Sequence, residues 1–341
     1  MFEDKIYKLK DIKTFREYER RFKIEQEKIK SNAKWIWFKI LDIPEKYKRV
    51  LYESIGIDKI YNLKLSQKII LGEKYVKNLN VESDVEDKVF KIVEKYIDEF
   101  NKENKKQEAM EIAKNLIEEN IEVVSLESEY YPKLLKEVYD YPIMFFAKGN
   151  LKLLKQPKVG IVGARNCSIY GINITRQISE KLANKGYVIT SGLAKGIDKT
   201  AHLAANGRTI AVLGTGIKKE VFYPKENLSV YEGILKKGGL IVSEFMPDES
   251  ATRYNFPKRN RIIAGMSNNL IITQAAKKSG SLITAEFSLD LGRDIFTVPG
   301  DILSKKYDGN NELLKDGAIP ILNFEDLDMY FRNLKIKNEA V

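Results

Sequence analysis

The sequence predicts an α/β protein whose doubly wound, mostly parallel sheet is preceded by a small all-helical domain. Its 341 residues exceed the roughly 100 to 200 that one domain usually contains. From residue 121 onward, short apolar runs alternate with loops rich in Gly, Ser or Asn and with helical patterns. This alternation is typical of a parallel sheet. We therefore expect a helical domain over 1–120, a sheet domain over 121–330 and a short tail over 331–341.

The first domain is predicted to be helical because its apolar residues recur at helical spacing. Ile24, Ile29, Trp35 and Phe38 belong to this pattern, and Pro44 is the only proline before residue 120. The Lys- and Glu-rich stretch over 88–119 is typical of amphipathic helices whose charged faces meet water. We expect those charges to form a solvated surface rather than a binding stripe.

The second domain contains apolar runs of strand length. The runs VGIV, TIAVLG and NLIIT are nearly continuous, as expected for strands covered on both faces of a parallel sheet. The predicted strands are 158–162, 187–190, 209–213, 240–243, 270–273 and 295–298. The helices between them are predicted to begin near Ile169, Gly196, Glu226, Pro257 and Ser281.

The composition limits the classes of function. The net charge is +10, and a basic surface favours polyanionic partners. With one cysteine, Cys167, and one histidine, His202, the chain has no intrachain disulfide and no Cys/His zinc site. The start has no signal-peptide core, and no run approaches the ~18 apolar residues of a membrane span. We expect a cytoplasmic protein with no metal, cofactor or membrane association.

Candidate binding residues lie in the loops that follow the predicted strands. In an open parallel sheet these loops meet at the carboxyl edge, where backbone N–H groups and helix N-termini face a ligand. Glycines allow close approach, cations neutralise phosphates, and an aromatic ring stacks on a base. The candidates are Gly163, Arg165, Ser168, Ser191, Gly192, Lys195, Gly196, Lys225, Phe256, Arg259, Arg261, Gly280, Ser281 and Thr284.

These loops match no nucleotide-hydrolysis motif. Neither G-x-x-x-x-G-K-[ST] nor G-x-G-x-x-G occurs, so the sequence does not support hydrolysis of a nucleoside triphosphate. On the fragment FPKRNR, Lys258 and Arg261 share one helix face and Arg259 points elsewhere, so we expect at least one of these cations to pack structurally. His202 and Asp198 lie nearby in sequence, and we assign neither a catalytic role.

The order of the motifs resembles the DprA/Smf family of DNA-processing proteins. The runs are KVGIVGARNCSIYG, ITSGLAKGIDKTAHLAA, TIAVLGTGI with YPKEN, FPKRNRIIAGMS and SGSLITAEFSLDLGRDIFTVPGDI. The resemblance covers roughly residues 125 to 325. It implies a Rossmann-like domain of the LOG-like superfamily that binds single-stranded DNA in a basic pocket. It further implies a homodimer that protects incoming strands and helps to load the RecA recombinase during natural transformation. No enzymatic activity is implied.

The chain departs from this family at both ends. Many members continue with a winged-helix domain, whereas this sequence ends soon after FEDLDMYFRNLKIK, so we expect no such domain. The usual front domain has a compact glycine turn like that of SAM or helix-hairpin-helix domains. Here only ESIGIDKIYNLKLSQKI is similar to it, so the front domain is predicted to be a degenerate version.

Two other functions stay open. The related LOG-type phosphoribohydrolases share the fold and use an Arg and a Glu, for which Glu286 with Arg165 or Arg259 would be the candidates. Their P-G-G-x-G-T-x-x-E pattern is absent, and release of free base from AMP would identify them. The third possibility is a sensor that holds a small nucleotide in the same pocket. For such a sensor, binding would not increase with oligonucleotide length.

Overall fold

The computed structural model describes residues 12–62 and 83–339. These residues fall into two compact units that divide between Asn120 and Ile121. The final residues of the ESIGIDKIYNLKLSQKI segment, from position 63, lie outside the described residues. No described helix has the length and apolar character needed to span a bilayer.

The described part of the first unit consists of helices joined by short turns and contains no strand, as predicted. Its helices are α1 (Ile12–Ile40), α2 (Glu45–Ile55), α3 (Ile57–Asn62), α4 (Ser83–Lys95), α5 (Ile97–Phe100) and α6 (Glu103–Glu118). Trp37, Phe38, Leu51 and Phe100 are buried in its core. Gly56 separates α2 from α3 with a φ of +74°, a backbone conformation that glycine adopts without strain.

The second unit contains one mixed sheet. Its strands are β1 (Glu122–Ser125), β2 (Met144–Gly149), β3 (Lys158–Val162), β4 (Val188–Ser191), β5 (Thr209–Val212), β6 (Leu240–Ser243), β7 (Asn269–Ile272), β8 (Asp294–Thr297) and β9 (Ile319–Pro320). Their order across the sheet is β1-β2-β6-β5-β4-β3-β7-β8-β9. The pairs β1–β2 and β2–β6 are antiparallel, and all other neighbours are parallel. The predicted mostly parallel fold is confirmed.

The helices between the strands begin within two residues of the predicted positions. They are α7 (Ile169–Asn184), α8 (Ile197–Ala204), α9 (Leu228–Lys236), α10 (Asn255–Met266) and α11 (Gly280–Asp290). Two helices that were not predicted follow: α12 (Asp308–Lys315) before β9, and α13 (Phe324–Glu339) after it. The chain runs outward from β3 through β4 and β5 to β6, and then returns to β7 on the other side of β3. This reversal is a topological switch point, where α/β sheets open a crevice.

The last helix corrects the prediction of a separate tail over 331–341. Helix α13 runs across position 330, and Leu327 and Phe331 are buried in the sheet core. The hydroxyl of Tyr187 donates to the carbonyl oxygen of Phe331, and Asp328 pairs with Lys181 at 2.7 Å. The start of the predicted tail is therefore part of the second unit, because its apolar side chains complete the core.

Candidate nucleic-acid interface

A cleft of about 1090 Å³ lies at the carboxyl edge of the sheet, between the loop after β3 and the N-termini of α10 and α11. Half of the sequence-predicted site residues line it. These are Gly163, Arg165, Phe256, Arg259, Gly280, Ser281 and Thr284. The loops therefore converge as predicted, although they do not bring every candidate side chain to the same surface.

One wall of the cleft combines a cation with two aromatic rings. The Arg165 guanidinium carbon lies 5.7 Å from the centre of the Phe256 ring. The Tyr223 ring meets Phe256 edge-on, with centroids 6.0 Å apart. Arg165 and Tyr223 are exposed, whereas Phe256 is half-buried. A Cβ at Gly214 would lie 2.7 Å from Phe256, so this glycine leaves space for the ring. Such a wall suits a nucleobase and its phosphate.

Arg259 lies in the floor of the cleft and is only 4% exposed. Its Nη1 donates to the carbonyl oxygens of Gly192, at 2.6 Å, and Val212. Burial lowers the pKa of its guanidinium to about 10, so the group stays charged at neutral pH. The guanidinium thus connects the ends of β4 and β5 to α10.

Asp198 is the buried counter-charge of Arg259. Its carboxylate accepts hydrogen bonds from the backbone N–H groups of Gly192, at 3.1 Å, and Ala194, at 3.4 Å. Burial raises the pKa of Asp198, while Arg259 and these N–H groups oppose the shift. The two opposite charges, each hydrogen-bonded to backbone groups, organise the cleft floor.

The N-terminus of α11 forms the opposite wall. Ser279 caps the helix, accepting from the Ser281 N–H at 3.4 Å. Gly280 is exposed and has open space around its α-carbon, whereas Thr284 is buried. A helix N-terminus with free space in front of it is favourable for an anion, because its N–H groups and dipole both attract negative charge.

The structure contradicts two of the predicted contacts. Arg261 does not line the cleft: it is 2% exposed, its Nη2 donates to both carboxylate oxygens of Glu244 at 2.6 Å, and its Nε lies 3.0 Å from Asp140. Ser191 is fully buried, and its hydroxyl donates to the carbonyl oxygen of Ile161 at 2.6 Å. Both side chains are buried and bonded to partners within the protein, so neither is available to a ligand.

Three further candidates shape the backbone around the cleft without lining it. Ser168 caps α7 and accepts from the Gly171 N–H at 3.0 Å. The Arg259 guanidinium occupies the space that a side chain at position 192 would fill, since a Cβ there would lie 2.2 Å from it. Gly196 has a φ of +73°, and a Cβ there would lie 2.4 Å from the Ala164 carbonyl oxygen. Packing within the protein therefore requires glycine at positions 192 and 196.

The two remaining lysines, Lys195 and Lys225, are exposed but do not line the cleft. Lys195 forms an ion pair with Glu226, which raises the pKa of Lys195 and lowers that of Glu226. The ammonium of Lys225 donates to the carbonyl oxygens of Glu220, at 2.6 Å, and Lys219, at 3.3 Å. Either lysine would have to exchange an internal partner for a phosphate.

Sequence reasoning missed several polar lining residues. These are Asn166, Tyr223, Arg253, Asn260, Lys278 and Lys306. Tyr223 was recognisable as the aromatic residue before a lysine in the loop after β5. Lys306 follows the end of β8 by nine positions, within a short 3₁₀ helix, and no local motif marks it.

His202 and Cys167, the one histidine and the one cysteine of the sequence, have pKa values shifted by burial. His202 is buried, and its Nδ1 lies 2.7 Å from the Thr209 hydroxyl. Burial lowers the pKa of His202 to about 3. Burial also raises the pKa of the Cys167 thiol, the opposite of activation. Among the described residues, no cluster of His, Cys, Asp and Glu could hold a metal ion.

The fold and this cleft define a Rossmann-like α/β protein with a basic, aromatic-walled site at its switch point. The model of the DNA recombination-mediator protein A family matches residues 122–332. The chain belongs to this family, and the DprA/Smf resemblance is confirmed.

Curated relatives agree with the family assignment. The DNA processing protein DprA of Streptococcus pneumoniae is 45% identical over 206 residues, 60% of this chain and 72% of that protein. The Bacillus subtilis DprA is 41% identical over 214 residues, 62% of this chain and 71% of that protein.

Two solved structures are also similar. The S. pneumoniae DprA structure has a TM-score of 0.60 at 36% identity and covers 82% of this chain and 96% of that one. DNA processing protein A of Helicobacter pylori, described for its single-stranded DNA binding mode, has a TM-score of 0.57 at 33% identity. That match covers 63% of this chain and 96% of that one.

Proposed function

We propose that this protein binds single-stranded DNA in the cleft at the carboxyl edge of the sheet, without chemical conversion of the strand. The observation that carries this proposal is the wall formed by Arg165, Phe256 and Tyr223 opposite the N-terminus of α11. A single strand offers unpaired bases and phosphates at once, which matches these two walls. The binding mode described for the H. pylori relative supports the same ligand class.

The two walls have different tasks in this proposal. A base stacks on the rings of Tyr223 and Phe256, an interaction worth about 1–3 kcal/mol per base and tolerant of sequence. Phosphates lie at the N-terminus of α11 and near Lys278 and Lys306, whose exposed ammonium groups line the cleft. Affinity should therefore fall as salt rises, since phosphate contacts release counterions.

Arg259 acts in this proposal by positioning rather than by contact. Its Nη1 is held by two carbonyl oxygens, and its charge is balanced by Asp198. A phosphate would have to compete with these internal partners. The exposed cations are therefore the ones that neutralise the strand.

The proposed cellular role is DNA processing during natural transformation and recombination. The names of the relatives support DNA processing and the family description supports recombination, whereas natural transformation rests on the family resemblance. The proposal includes protection of incoming strands in the cytoplasm, assistance in loading RecA, and a homodimeric state. These parts rest on the family resemblance, and each needs its own test.

A competition experiment tests the ligand class. A labelled strand of about 35 nucleotides, long enough to span a typical single-strand site, is bound to the protein and challenged with the unlabelled strand, duplex DNA and AMP. Only the single strand should displace it. Efficient displacement by AMP would contradict the proposal, indicating a phosphoribohydrolase if free base is released and a nucleotide sensor if it is not. Glu286, the carboxylate needed for the hydrolase, does not line the cleft.

A further inference from the structure

A patch of two tyrosines and two lysines lies on the helical first unit. Tyr47 is in the first turn of α2, and Tyr96 directly follows α4. Their half-exposed rings lie 5.9 Å apart at an interplanar angle of 47°. The Lys46 ammonium is 4.9 Å from the Tyr47 ring centre, and the Lys95 ammonium is 5.4 Å from the Tyr96 ring centre. We call these four residues the tyrosine–lysine patch.

The two lysines of the patch are free to bind an anion. Both are exposed, and within the described ranges neither forms an ion pair with a carboxylate. Their contacts are with the rings, and Lys95 also lies 5.9 Å from the Tyr47 ring. A cation–π contact at an exposed site is weak, so a phosphate can replace it or share the cation.

Nearby carboxylates reduce the positive charge around the tyrosine–lysine patch. Glu45 lies 3.4 Å from the Lys48 ammonium, and Glu99 pairs with Lys102 and, at 3.0 Å, with Lys105. Glu94 and Asp98 are exposed and close to Tyr96 in sequence. The patch therefore has only a modest excess of positive charge. A ligand bound there must gain more from ring stacking than from charge neutralisation.

We propose that the tyrosine–lysine patch is a second contact for single-stranded DNA, separate from the cleft. Two adjacent tilted rings offer surfaces for unpaired bases, and an ammonium group that can bind a phosphate lies within 5.4 Å of the centre of each ring. An acidic peptide would use the lysines but not the rings, and a duplex would hide its bases. A single strand uses all four groups.

Cross-linking tests whether bases reach the patch. The proposal rests on the proposed function only for the choice of ligand, so the full chain is used with an intact cleft and with Arg165→Ala and Phe256→Ala combined. Each form is irradiated with a strand containing 5-bromouracil, and the adducts are mapped by mass spectrometry. We expect adducts at Tyr47 or Tyr96 in both forms. Their absence from both would overturn this inference, whatever the cleft does.

A matched charge exchange tests whether the patch adds affinity. Lys46→Glu with Lys95→Glu should weaken binding of a strand of about 60 nucleotides roughly tenfold, because a long strand can engage two sites at once. The control combines Lys59→Glu with Lys114→Glu, which changes the net charge equally at two exposed positions outside the patch. Equal weakening by both pairs would contradict the inference. Loss of binding in the cleft variant alone bears only on the proposed function.

Discussion

The guanidinium of Arg259 occupies the space that a side chain at Gly192 would need. A Cβ at position 192 would lie 2.2 Å from Nη1 of Arg259. This nitrogen donates to the Gly192 carbonyl oxygen at 2.6 Å, and moving it away from a Cβ would break that hydrogen bond. The glycine in the SGLAKG loop therefore permits close approach of the protein's own arginine. Gly192 thereby shapes the cleft floor.

Gly192→Ala should consequently destabilise the protein and weaken DNA binding together. Overpacking of this kind costs about 1–3 kcal/mol, and displacement of Arg259 would release the ends of β4 and β5. Urea unfolding and strand binding measure the two effects. Gly233→Ala is the control, because its α-carbon faces open space inside α9. That helix-interior change should stabilise the protein by roughly 0.5–1 kcal/mol.

Arg165 and Arg261 should give opposite results when substituted. Arg261→Gln breaks the buried pair with Glu244, which should lower the free energy of unfolding by about 3–5 kcal/mol. Its folded fraction should keep nearly the affinity of the wild-type protein for DNA. Arg165→Ala removes an exposed cation and should leave stability almost unchanged while weakening binding. Chemical denaturation measures the free energy of unfolding, and fluorescence anisotropy at low temperature measures the affinity for DNA. If Arg261→Gln weakened binding without loss of stability, Arg261 would lie at the interface.

His202 should make stability fall as the pH falls. Its pKa is lowered from 6.5 to about 3 in the folded protein, so the unfolded chain binds a proton that the folded chain rejects. The stabilisation is complete above pH 6.5 and is lost progressively down to about pH 3. Between pH 7 and 5 the loss should be about 2 kcal/mol.

His202→Leu should remove this part of the pH dependence. The Thr209 hydroxyl keeps its hydrogen bond to the Ile189 carbonyl oxygen in the variant. Urea midpoints at pH 7 and pH 5 compare the two proteins. If the difference between the pH 7 and pH 5 midpoints is the same in the variant as in the wild-type protein, His202 does not cause the pH dependence of stability.

Glu226→Gln should tighten binding of single-stranded DNA. Glu226 holds the exposed ammonium of Lys195 and would compete with a phosphate for it. Loss of this weak surface pair leaves the ammonium free for a phosphate and should increase affinity roughly threefold to fivefold at low salt. Glu232→Gln is the matched control, since it removes the same charge from an exposed pair with Lys219 at 2.6 Å, a lysine that is not among the predicted site residues. Equal effects of the two changes would indicate only a general effect of net charge.

Much of the fold was predictable because buried parallel strands leave continuous apolar runs. The runs around Ile161, Val212 and Ile271 all form central strands. Strand β9 was missed because it has only two residues, and β1 because it begins with the polar, half-buried Glu122. Such short or mixed segments do not stand out from loops in a periodicity argument.

The site was harder to predict because burial depends on partners distant in sequence. Arg165 and Arg261 are both cations in segments that connect the strands, Arg165 in the loop after β3 and Arg261 within α10. Only the structure reveals that Glu244, 17 positions earlier, neutralises Arg261 inside the protein, whereas Arg165 faces the cleft. Lys306 lines the cleft from a short 3₁₀ helix that no sequence motif marks. Loop convergence could be inferred from topology, but the direction of each side chain could not.

The most direct test of the cleft is the salt dependence of strand binding in wild-type protein and in the Arg165→Ala, Phe256→Ala double variant. Fluorescence anisotropy gives the affinity for a labelled single strand over a series of salt concentrations. We expect tight wild-type binding that weakens as salt rises, and in a folded double variant a loss of at least about tenfold with a shallower slope. Unchanged affinity and slope in the folded variant would contradict the assignment of this cleft as the DNA site.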